Sequence, residues 1–256
     1  MDFTSSYIIQ LADNALILGH RDSEWTGHGP ILEQDIAISN IALDLIGQAR
    51  NFYQLACTLM NASTGGHITE DDLAYLRDAH EFKNCLLVEQ PNGDWARTIL
   101  RQFYFSSWQY LLYQALCQSR NPEMAAISEK SIKETYYHVK WSSEWVLRLG
   151  DGTEESHSRM IDAMYMLNPC IAELFTPADY EYEAAQTGMG ILPETLEHAW
   201  FERVNKVLDG ATLPELMRGK KTLPIISGKN GVHSEHLGLL LAEMQFLQRA
   251  YPGSNW

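Results

Sequence analysis

The sequence predicts an all-α protein: a four-helix bundle with additional flanking helices, in one domain spanning 1–256. Three observations predict it. Apolar residues recur at helical spacing over four long stretches, and these stretches join as two consecutive pairs across breaks bearing Gly, Pro, Asn or Asp. Strand-like alternation is missing apart from a short extended piece at Thr222 to Ile226.

The first helix is expected over Thr4 to Arg21, with Tyr7, Ile8, Leu11, Ala15, Leu16 and Leu18 on its apolar side and Ser5 or Ser6 near its start. After a break containing Gly27, Gly29 and Pro30, a second runs from about Ile31 to Leu59. Thr69 followed by Glu70, Asp71 and Asp72 reads as an N-cap with an acidic first turn, opening a helix through Leu87. The turn QPNGD leads into a long aromatic-rich helix from Trp95 to Ser119. Pro122 then opens the fourth long helix, which Gly150 and Gly152 end after Leu149. Shorter helices are expected over Glu154 to Phe175, Ala178 to Thr187 and Pro193 to Leu208. Residues 209–233 read as a Gly- and Pro-rich loop, and Ser234 caps a last helix.

With 45% hydrophobic, 20% charged and 11% aromatic residues, the 256-residue chain has the composition of a folded globule. Its formal net charge of -14 argues against binding nucleic acid or anionic membrane, which needs Lys and Arg to neutralise phosphates. Cys57, Cys85, Cys117 and Cys170 form no CxxC pair and read as reduced core thiols of a cytoplasmic protein. The stretch MDFTSSYIIQLADNALILGHRD has no basic n-region, and Gln10, Asp13 and Asn14 interrupt its apolar residues. It reads as neither signal peptide nor membrane span.

The second helix looks apolar almost all the way round, so it is expected to be buried. Yet Asn40, Asp44, Gln48 and Asn51 form one polar line along it, with Glu33 a heptad earlier. Buried polar groups cost energy unless partnered, so the line marks a live site, a dead one or a hydrogen-bond network. Carboxylate-bridged di-iron bundles draw a Glu from each of two helices and a Glu-x-x-His from each of two others. Here the fourth long helix offers Glu134 and His138, but Thr135 stands three before the histidine. The second helix has no histidine, only Leu45, Asp44 and Gln48, and the third has Ser106 and Ser107 where a carboxylate is needed. That is too small a donor set for two irons.

Other patterns favour ordinary structure. His233 and His236 could grip a metal beside Glu235, but helix-start surface chemistry explains them equally well. Arg218, Lys220 and Lys221 are the densest basic patch, more simply a solvated loop than a phosphate or partner site. No GxGxxG, P-loop, GxSxG or HExxH is present.

Taken together, the stretches EWTGHGPILEQDIAISNIALDLIGQARNF, RDAHEFKNCLLVEQPNGDWARTILRQF, AAISEKSIKETYYHVKWS, AELF and HSEHLGLLLAEMQFLQRAYPG resemble the family of C subunits of the phenylacetyl-CoA epoxidase complex, a multicomponent oxygenase of phenylacetate degradation. The resemblance covers nearly the whole chain in order. It implies a ferritin-like fold and a structural role without metal or cofactor, beside an A subunit that carries the di-iron centre and epoxidises the ring, with electrons from a reductase subunit. Glu33, Asp44, Gln48, Ser107, Glu134 and His138 are then vestigial positions of a metal site. The resemblance also implies help in binding the coenzyme A tail, for which Glu81, Phe82, Lys83, Asn84, Tyr182, Glu183 and Ala184 are the candidates. Two other functions remain open from the residues: a catalytic di-metal oxidase built on Glu33, Asp44, Glu134 and His138, and a small-ligand binding or storage protein. As a scaffold the chain should expose apolar surface and self-associate when isolated.

Overall fold

The structure, a computed structural model, describes residues 3–217 and 227–254. The basic patch Arg218, Lys220 and Lys221 and the extended piece expected at Thr222 to Ile226 lie outside the described residues. In chain order the α-helices are α1 (Phe3–Ser23), α2 (Leu32–Thr64), α3 (Glu70–Tyr75), α4 (Leu86–Glu89), α5 (Trp95–Leu116) and α6 (Pro122–Gly150). They continue as α7 (Glu154–Leu167), α8 (Ile171–Leu174), α9 (Asp179–Thr187), α10 (Glu197–Gly210), α11 (Glu235–Met244) and α12 (Phe246–Ala250). The described residues contain no strand, and the architecture is an all-α, ferritin-like four-helix bundle with flanking helices.

The chain forms two compact units, Met1–Pro91 with Ile226–Trp256, and Asn92–Ile225. In the first, α1 and α2 pair antiparallel. The Tyr53 hydroxyl reaches Asp13 midway along α1, and nearer the end of α1 Gly19 lies so close to Ala42, Leu45 and Ile46 that an added Cβ would sit 3.1–3.2 Å from them. In the second, α5 and α6 pair antiparallel: the Trp95 ring meets Trp145 at 5.8 Å, and Tyr110 meets Tyr136 at 6.2 Å.

Local chemistry sets the ends of these helices. The Asp94 and Asn121 side chains accept from the backbone N–H groups of Arg97 and Met124, capping α5 and α6. Gly65 ends α2 in the left-handed region, φ +66°, where a residue without Cβ is favoured.

Four expectations are corrected. The helix expected through Leu87 stops at Tyr75 and resumes only as a short 3-10 turn and α4. The Glu81 carboxylate accepts from the Asp78 N–H, which starts that turn afresh. The helix expected to reach Phe175 ends at Leu167, and a 3-10 turn over Asn168–Cys170 with Pro169 inside it precedes α8. Ser234 occupies the N-cap of α11, but its side chain makes no capping bond, and its N–H donates instead to the Glu89 carboxylate at 2.6 Å.

Most telling, α2 is not buried all round. Ile31, Leu32, Ile36 and Leu43 are 53%, 72%, 52% and 66% exposed. The helices buried without a gap are α1 from Ser5 to Gly19 and α5 from Thr98 to Gln109.

Candidate functional site

In the second unit, the buried line of α6 is Ser128, Ser131, Thr135, His138 and Ser142, at steps of three and four, with Trp141 beside it. Three of these hydroxyls turn back onto their own helix, while Ser131 Oγ has no hydrogen-bond partner among the described residues. Ser128 Oγ donates to the Met124 carbonyl at 2.8 Å, Thr135 Oγ1 to Ser131 at 2.9 Å and Ser142 Oγ to His138 at 2.6 Å. Such i to i−4 bonds satisfy a hydroxyl inside a helix without presenting it to a ligand.

Across from this line, α5 supplies Gln102, Ser106 and Ser107, all buried. Ser106 Oγ lies 3.5 Å from Ser142 Oγ. Ser107 Oγ and both amide atoms of Gln102 have no hydrogen-bond partner among the described residues. His138 is wholly buried and Glu134 half-buried.

On α2 the polar line is only partly buried. Gln48 is enclosed, Asp44 and Asn51 are intermediate, and Glu33 and Asn40 are exposed. The expectation of a line buried along its length is therefore corrected: the helix turns Glu33 and Asn40 toward the side that also exposes Ile36 and Leu43. Among the described residues, no group of three or more His, Cys, Asp or Glu side chains is placed to hold a metal ion. The donor set thus does not fit a di-iron centre.

The first unit holds a buried network outside that polar line. Asp13 on α1 takes both terminal nitrogens of Arg77, the Tyr53 hydroxyl and the backbone N–H of Lys83 at 2.7 Å. The Arg77 guanidinium also lies 4.1 Å over the Phe82 ring and donates to the Leu73 and Glu81 carbonyls. A second cluster centres on Glu89. Its carboxylate accepts from Asn84 Nδ2 at 2.9 Å, from Ser234 N–H and from His233 Nδ1 at 2.8 Å, while its carbonyl accepts from Arg21.

His233 Nε2 lies 3.0 Å from the Phe82 carbonyl. Both ring nitrogens thus face acceptors, the arrangement an imidazolium satisfies. Burial by itself would lower the His233 pKa, but the hydrogen bond and charge of Glu89, the Phe82 carbonyl and the charge of Asp13 raise it above its ordinary value. Neither ring nitrogen is turned outward, so the reading of His233 as a metal grip or as surface chemistry is corrected.

The sequence carried a signal for this network: Gln10, Asp13 and Asn14 interrupt an otherwise apolar α1, and Asn14 Oδ1 accepts from the Cys85 N–H at 2.8 Å.

Among the candidate coenzyme A contacts in the first unit, Phe82 and Asn84 are fully buried, one beneath Arg77 and the other on Glu89. They offer a ligand no free side-chain surface. Glu81 is exposed, and its carboxylate caps the Asp78 N–H at 2.7 Å. Lys83 is half-buried, and burial lowers its pKa. In the second unit, Tyr182 and Glu183 on α9 are exposed and Ala184 is buried.

The four cysteines are free thiols, with Cys57 and Cys85 buried. No described helix is long and apolar enough to cross a membrane.

The chain matches the family described as phenylacetic acid catabolic protein over residues 3–256. It is 44% identical, over 258 aligned positions covering 100% of both chains, to the C subunit of the 1,2-phenylacetyl-CoA epoxidase of Escherichia coli strain K12.

Proposed function

Because the chain belongs to the phenylacetic acid catabolic protein family, we propose that it is a non-catalytic subunit of a 1,2-phenylacetyl-CoA epoxidase in the cytoplasm. It pairs there with a catalytic di-iron subunit fed by a reductase. The buried face of α6 carries this reading: Ser131, Thr135 and Ser142 flank His138, and the hydroxyls of Thr135 and Ser142 close on the helix's own carbonyls. Chemistry on a metal needs ligands that project and share an ion, and this face supplies one histidine with one half-buried carboxylate.

The partner's surface in this reading is the exposed apolar line of α2. Leu32, Ile36 and Leu43 lie at steps of four and seven on one side of a long helix, and such side chains left in water mark an association face. Lys83 and Tyr182 retain surface for the coenzyme A tail, Lys83 as a cation for phosphate and Tyr182 as a stacking ring.

Purification from the native source with its partners, followed by elemental analysis, tests the proposal. Iron is expected with the partner and not with this chain alone. Two tightly bound metals per isolated chain, lost on His138→Ala, would overturn it. Ile36→Lys with Leu43→Lys is expected to abolish copurification of the partner while leaving the thermal midpoint of the isolated chain nearly unchanged, because both positions are exposed. Phenylacetyl-CoA titrated into the chain with and without its partner shows where the tail binds.

A further inference from the structure

We propose that a cavity in the second unit, unconnected with the phenylacetate reading, is a binding site for an alkylammonium group. It measures about 360 Å³ and lies among α8, the start and middle of α10, and residues 215–217. That volume falls at the lower end of small-ligand sites.

Ile171, Phe175, Phe201 and Leu216 make its apolar lining, and among the described residues the charged ones that line it are Glu197 and Glu215. An apolar, aromatic cleft with two carboxylates at its edge favours a cation carried on a hydrocarbon stem over an anion.

The cleft is built from fixed parts. Phe175 and Phe201 pack at 6.1 Å, and both rest on Trp200, at 5.4 and 5.1 Å. Trp200 is itself held by its Nε1–H donating to the Tyr104 carbonyl at 3.0 Å. The opposite lip is pinned by Asn205, whose Oδ1 accepts from the Leu216 N–H at 2.9 Å. Its Nδ2 donates to the Leu216 carbonyl at 3.1 Å and to Glu215 Oε1 at 3.2 Å. Thr212, at φ +57°, makes the turn that brings this lip back along α10.

On α10, the Arg203 and His198 side chains have partners of their own. The Arg203 guanidinium lies 4.7 Å over the Tyr110 ring, and His198 pairs with Glu202 at 3.6 Å. The acidic character continues outward, where Glu202 and Glu215 line the adjoining hollow.

The test uses the full chain labelled with 5-fluorotryptophan, with the fluorine resonance of Trp200 assigned by Trp200→Phe. Titration with hexylammonium is expected to shift that resonance saturably at millimolar concentration, hexanol more weakly and hexanoate least. Glu197→Gln with Glu215→Gln is expected to weaken hexylammonium about tenfold, the scale of two partly exposed charge pairs, and to leave hexanol unchanged. Leu216→Trp, which fills the cleft, should abolish both responses.

A parallel titration with N-acetyl-lysine amide distinguishes the source of the group. Binding comparable to hexylammonium points to a lysine side chain of a protein, and binding of the free amine alone points to a small metabolite-like amine. Hexanoate binding as well as hexylammonium, the absence of a saturable shift, or indifference to the double Gln variant would each overturn the proposal.

Discussion

Arg77 shows how much can depend on one buried charge. Its guanidinium satisfies both oxygens of Asp13, a carboxylate with no exposed surface, and at the same time covers the Phe82 ring. Coulomb attraction favours the pair, and desolvation of both partners opposes it, so the net value of such a pair against an apolar replacement is small. Breaking it is another matter, because Arg77→Met leaves the Asp13 charge in the interior with only the Tyr53 hydroxyl and the Lys83 N–H. That variant is expected to lose about 3–5 kcal/mol in denaturant unfolding. Adding Asp13→Asn should recover part of the loss, since the neutral amide oxygen can still accept the Lys83 N–H. A double variant less stable than Arg77→Met alone would contradict this account. The sequence shows Asp13 as a polar residue inside an apolar helix, which is half of the information. Its partner is 64 residues away and lies where the expected helix fails. Periodicity describes a helix's own faces and is silent about such long-range pairing.

At the level of elements, the four long helices are legible because each spans many turns of apolar recurrence, and the QPNGD turn and Pro122 mark the starts of α5 and α6. Legibility fails where tertiary contacts override local propensity. Glu70 to Leu87 looks helical throughout, but the chain bends after Tyr75, and Arg77 and Lys83 meet Asp13 from either side of the turn. The second helix misleads in the opposite way. Its many Ile and Leu residues resemble a buried rod, whereas Leu32, Ile36 and Leu43 face outward, and apolar content alone does not separate a core from an interface.

On the non-catalytic reading, the vestigial site is legible as a missing Glu-x-x-His, and hydroxyls closed onto α6 stand in its place. Gly150 marks another junction invisible to periodicity. A Cβ there would collide with the Ala211 carbonyl oxygen, and the Gly150 carbonyl accepts from Thr212 Oγ1 and lies 2.7 Å from His157 Nδ1. Gly150→Ala therefore forces the end of α6 from the chain following α10, with an expected loss of about 1–3 kcal/mol. An unchanged thermal midpoint would show that this junction yields freely.

Over the whole molecule, stability against pH is bounded by two histidines that act in opposite directions. His20 sits near the end of α1 with Nε2 buried and without a hydrogen-bond partner among the described residues. Burial lowers its pKa from 6.5 to about 4. As pH falls below 6.5 the unfolded chain takes up a proton that the folded chain refuses until about 4, so stability is lost across that interval. The full difference is on the order of 3 kcal/mol, at about 1.4 kcal/mol for each pH unit. His233 works the other way. Its pKa is raised in the fold, so its contribution is complete below the ordinary histidine value and is lost as pH climbs through the raised one. Deprotonation leaves one ring nitrogen facing an acceptor without a proton, either at Glu89 or at the Phe82 carbonyl.

Maximum stability should therefore lie near neutrality, with an acid limb that His20→Gln flattens and an alkaline limb that His233→Gln removes. The second variant should also be less stable in acid, where the imidazolium clamp is intact in the wild type. Urea midpoints measured across both limbs for the two variants decide it. An acid limb unchanged in His20→Gln would assign that loss to the chain's carboxylates instead, and an alkaline limb surviving in His233→Gln would remove the clamp from the explanation.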